Sequence, residues 1–68
     1  MSIEQMLQKI EADLEKYEEA YDPEERMDLK QTITASIKQA YVQSQKLDDK
    51  TQKEVIAKLE EFAEILSY

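Results

Sequence analysis

Carboxylates are the side chains of this 68-residue sequence with the most chemical potential. Glu18, Glu19, Asp22, Glu24, Glu25 and Asp28 crowd into one short stretch. Such a cluster attracts divalent cations, but a calcium loop alternates its oxygen ligands and turns on a glycine, and the chain contains no glycine. A di-iron centre in a helical bundle requires Glu-x-x-His, and there is no histidine. Without His the commonest general base and metal ligand is missing; without Cys, thiolate zinc sites, disulfides and thiol nucleophiles are missing too. The hydroxyls of Ser2, Thr32, Thr34, Ser36, Ser44, Thr51 and Ser67 fall in no nucleophile motif. Acid–base work by two carboxyls needs a cleft between them and one raised pKa, and a chain this short has little surface to fold into a cleft. The expectation is a protein that is not an enzyme and takes no cofactor and no metal.

Charge is more informative than chemistry. The formal net charge is −7; residues 1–28 carry ten acidic against three basic side chains, while residues 29–58 carry six lysines against three acids. On a helical projection Glu4, Glu11, Glu15, Glu18 and Glu19 fall along one flank, with Lys9 and Lys16 on the other. This acidic ridge has two readings. It is a contact for a basic partner, including mimicry of nucleic acid at a basic binding site, or it is a solvated face balanced by neighbouring lysines, and the second is favoured. A chain of this sign repels nucleic acid and anionic lipid, so neither direct nucleic-acid binding nor membrane association is expected.

From Gln31 to Gln45 the charge falls away, leaving Lys38 alone among Gln, Thr and Ser. Ala35 and Val42, seven apart, point away from the apolar stripe of this segment, and Gln31, Gln39 and Lys38 flank them. Depletion of charge marks the centre of protein interfaces, whereas one exposed valine is ordinary; the two readings weigh equally. Ile65 and Tyr68 form a second candidate patch, off the main stripe at the C-terminal end.

The elements that must position these groups are helices. There is no glycine and one proline, and Ala, Leu, Glu, Lys and Gln abound. Asp22 is a good N-cap, Pro23 suits the first helical turn, and Glu25 stands where it would complete a capping box. Asp48 or Asp49 caps a third helix. The reading predicts helices near 2–20, 23–46 and 49–67 in one domain over 1–68. Apolar residues at spacings of three and four define the faces: Ile3, Leu7, Ile10, Leu14, Tyr17 and Tyr21; then Leu29, Ile33, Ile37, Ala40, Tyr41 and Leu47; then Val55, Leu59, Phe62 and Leu66, widened by Ile56, Ala63 and Ile65. Short links make neighbours antiparallel, so the fold class is all-α, an up-down-up three-helix bundle, the alternative being a helical hairpin that completes its core by dimerising. The first residues hold no apolar run of a signal peptide and no stretch approaches a membrane span, so a cytoplasmic location is expected.

These features predict a small protein–protein interaction module, a regulator, adaptor or antagonist of a larger protein that also forms a homodimer. The alternatives are an acidic nucleic-acid mimic and a structural or chaperone-type subunit whose client covers the apolar strip. The candidate partner interface is Gln31, Ala35, Gln39, Val42, Ile65 and Tyr68.

Overall fold

Each helix begins where a short polar side chain can satisfy backbone amides that have no partner within the helix. In the computed structural model, which describes residues 2–67, these starts give α1 (Ile3–Glu19), α2 (Pro23–Ser44) and α3 (Asp49–Leu66). Ser2 and Gln5 form a reciprocal capping box: Ser2 Oγ accepts from the Gln5 amide, and Gln5 Oε1 accepts from the Ser2 amide, both at 3.3 Å. Asp22 caps α2 by accepting from the Glu24 amide at 3.0 Å, with Pro23 in the first turn. The capping box expected of Glu25 does not close at this end, because Asp22 takes the second amide of the helix instead of the third. Asp48 caps α3 through the Thr51 amide at 3.3 Å.

The ends are equally local. Ala20 leaves α1 in extended backbone, and Asp22 is extended ahead of Pro23, whose ring disfavours helical conformation at the residue before it. At the end of α2 the amides of Gln45, Lys46 and Leu47 turn to the carbonyls of Val42, Gln43 and Ser44, the tighter spacing that commonly finishes a helix. Among the described residues there is no strand, and no helix is long and apolar enough to cross a membrane.

Glu11 in the middle of α1 pairs with Lys58 of α3, and Tyr17 near the end of α1 shares a groove with Ile65 near the end of α3. These two helices therefore run the same way with α2 opposed, the up-down-up bundle. α2 is the central element: it packs on α1 and on α3, while α1 and α3 touch each other least. The principal extents of 40 × 22 × 14 Å reflect this flattened, splayed arrangement. A fully buried large apolar side chain from each helix, Ile10, Ile33 and Leu59, marks the centre of the core. Around them lie Met6, Leu14, Tyr17, Ile37, Ala40, Val55, Phe62 and Leu66, with Ile3, Leu7, Leu29, Tyr41, Leu47 and Ile65 half-covered at its margin. Ser44 is fully buried and satisfies its hydroxyl by donating to the Tyr41 carbonyl.

The core assignments of Met6, Ile3, Leu7 and Tyr21 change. Met6 enters the core, and Ile3 and Leu7 move to its edge, because α2 approaches α1 on the Met6 side. Tyr21, which continues the core spacing of the α1 stripe, is 97% exposed. Helical periodicity stops at Glu19, so the extended backbone at Ala20 swings the next ring away from the seam.

Candidate protein-binding surface

α1 and α3 confine their buried side chains to one face, whereas α2 carries apolar groups on both sides. Its inner side supplies Ile33, Ile37, Ala40 and Ser44 to the core. Successive residues turn about 100° around a helix, which puts Gln31, Ala35 and Val42 on the side opposite Ile33, Met27 and Lys38 at one edge of that side and Gln39 at the other. All six are exposed, Met27 at 63% and Val42 at 60%. Met27, Gln31, Thr34 and Ala35 line a shallow depression on this outer side, and Met6, Gln39, Val42 and Gln43 line a second where α2 meets α1. Four of the candidate interface residues, Gln31, Ala35, Gln39 and Val42, thus share one surface.

The other two do not join it. Ile65 is half-buried against the core, in a groove with Tyr17, Glu18 and Arg26 toward the other end of the bundle from Val42, which lies near Met6. Tyr68 lies outside the described residues. Met27 also belongs to the outer surface, as its spacing of four from Gln31 and eight from Ala35 implies.

The acidic ridge is real as geometry: Glu4, Glu11, Glu15, Glu18 and Glu19 are all exposed along α1. Glu11 Oε1 stands 3.2 Å from Lys58 Nζ, with both side chains about half-exposed, so α3 neutralises one member of the ridge at its border. Solvent screening makes such a pair worth little to stability. Among the described residues no three carboxylates converge as a metal site would require. As the cap of α3, the Asp48 carboxyl is held below its ordinary value, first by the Thr51 hydroxyl and then by the Thr51 amide.

Compared with known proteins, the chain matches no family, no curated protein and no solved structure.

Proposed function

We propose that the chain is a small, non-enzymatic protein-binding module that works as a regulator, adaptor or antagonist of a larger protein and meets its partner through the outer face of α2. The observation that supports this reading is the double-sided character of α2. In a solvated helix of an acidic protein the outer side would carry charge, as the flank of α1 does. Here Met27 and Val42 stand well exposed on that side, and Lys38 is the single charge from Gln31 to Gln45. Exposed apolar groups set among uncharged amides, with charge at the margins, match the core-and-rim composition of interfaces. A cytoplasmic location belongs to the same proposal.

The acidic ridge supports a second reading, mimicry of nucleic acid at a basic site, since five exposed carboxylates follow one flank of α1. Capture of host proteins on the immobilised full chain separates the two. Val42→Glu should abolish retention of a specific partner if the α2 face binds it. Combined Glu4→Lys, Glu15→Lys and Glu18→Lys should leave retention intact. Loss with the ridge variant and survival with Val42→Glu would reverse the assignment in favour of the mimic.

A further inference from the structure

The charges of α2 are ordered in a way that a second copy of this chain can answer. Its outer side opens with Glu24 and Asp28 and continues through Gln31, Ala35 and Gln39 to Val42, with Lys38 at its edge, and Lys46 follows in the turn beyond Ser44, all of them exposed. Acid stands at one end, base at the other, and a nearly neutral, partly apolar stretch between them. We infer that two copies of the chain pair through antiparallel α2 helices about a two-fold axis near Ala35. This rests on the proposal that the outer face of α2 is the contact surface, and it names the occupant of that face.

Antiparallel pairing about Ala35 brings together positions whose numbers sum to about 70, and two-fold symmetry makes each contact twice. Gln31 then faces Gln39 of the second copy, where one amide donates and the other accepts without burying a charge. Met27 packs beside Val42 of the second copy, covering the two most exposed apolar groups of α2 with each other. Glu24, in the first turn of α2, comes near Lys46 of the second copy, in the turn just beyond Ser44. Ala35 occupies the axis, where a small side chain lets two helices approach closely. A parallel pair would set Glu24 on Glu24, Asp28 on Asp28 and Lys46 on Lys46, and like charges across an interface are costly. The antiparallel arrangement removes these like-charge contacts and covers Met27 and Val42, with Asp28 beside Val42 of the second copy at the margin of the contact.

One helix against one helix is a small contact beside the roughly 1,200–2,000 Å² of a standard stable interface, so the pairing is weak, with dissociation in the range of about 10–100 µM. Each copy carries −7, and added salt screens the repulsion between copies. Association therefore persists or tightens as salt rises.

Sedimentation velocity on the full chain, from about 5 µM to about 1 mM, should show the mass climbing from 8.0 kDa toward twice that value. Val42→Glu should weaken pairing by about tenfold or more, with an unchanged circular dichroism melt because Val42 is exposed. Glu24→Lys and Lys46→Glu should each weaken it, and the double substitution should restore it. The chain has no cysteine, so introduced thiols report direction. Ala35→Cys should form a disulfide-linked dimer on oxidation. Met27→Cys should not, since the two copies of that position lie about 24 Å apart in an antiparallel pair. A monomer at every concentration, or cross-linking of Met27→Cys as readily as of Ala35→Cys, overturns the inference. A monomer whose capture of a partner still depends on Val42 leaves the binding-surface proposal standing. Dimerisation and capture both indifferent to Val42→Glu would remove both.

Discussion

Arg26 reaches back from the first turn of α2 to close the end of α1 over Tyr17. Its guanidinium carbon stands 4.3 Å from the centroid of the Tyr17 ring, and Nη1 donates to the carbonyls of Tyr17 at 2.8 Å and Ala20 at 3.2 Å. One cation thus satisfies two carbonyls at the C-terminal end of a helix, where the backbone dipole favours positive charge, and stacks on the aromatic ring that seals that end of the core.

Removing this clasp should cost stability without disturbing the helices. Arg26→Ala is expected to lower unfolding free energy by about 1–3 kcal/mol, the range for lost charge-assisted hydrogen bonds together with a partly exposed cation–π contact. Arg26→Lys should recover only part of the loss, because an ammonium lacks the planar fork. Urea unfolding followed by circular dichroism measures both; equal stability of Arg26→Ala and the parent would show that the clasp is not energetically coupled to the fold.

The two tyrosines that flank the end of α1 should behave in opposite ways. Tyr17 is buried, and Tyr17→Ala should cost about 3 kcal/mol or more, as truncation of large core side chains does. Tyr21, with almost no covered surface, should tolerate Ala within about 0.5 kcal/mol. Thermal melts of the pair decide this, and comparable losses would place Tyr21 against the core after all.

Truncation at the centre of the seam should be severe. Leu59→Ala and Leu14→Ala are each expected to destabilise by about 2–5 kcal/mol, with Leu59, fully buried, at the upper end. A chain this small has a modest total stability, so Leu59→Ala should be largely unfolded at 37 °C. A cooperative melt close to that of the parent would contradict the packing described here.

Asp48 gives the fold a dependence on acid. Its folded carboxyl is held below the ordinary value of 3.8 by the hydroxyl and amide of Thr51. The folded state therefore binds this proton less readily than the unfolded chain does. The contribution is complete above the unfolded value and drains away as pH falls through the lower, folded one. Asp48→Asn keeps a cap-competent side chain without the titrating charge, and it should flatten the fall of stability in this acid range. An unchanged acid limb in thermal melts from neutral pH downward would show that the cap titrates as it does in the unfolded chain.

The helices were legible in the residues because their determinants are local. Asp22 with Pro23, and Asp48 ahead of Thr51, mark helix starts whatever surrounds them, and the spacing of Ile10 and Leu14, of Ile33 and Ile37, and of Val55, Leu59 and Phe62 identifies buried faces. The outer face of α2 was legible for a related reason: a fall of charge to Lys38 alone over four turns is a property of the string, and the position of Ala35 and Val42 opposite Ile33 follows from helical geometry alone.

Tertiary packing decided what periodicity leaves degenerate. Met6 and Leu7 stand on opposite margins of the α1 stripe, and only the approach of α2 from the Met6 side selects which one is buried. Ile65, off the main stripe in sequence, is half-covered because the ends of α1 and α3 lie side by side there. Packing between helices likewise sets Arg26 of α2 on Tyr17 of α1 and Lys58 of α3 against Glu11 of α1, contacts between residues nine and 47 positions apart. Local sequence can specify where a helix begins and which side it hides; the splay between three helices depends on how all their side chains fill one seam at once, and that splay chooses the residues at its margins.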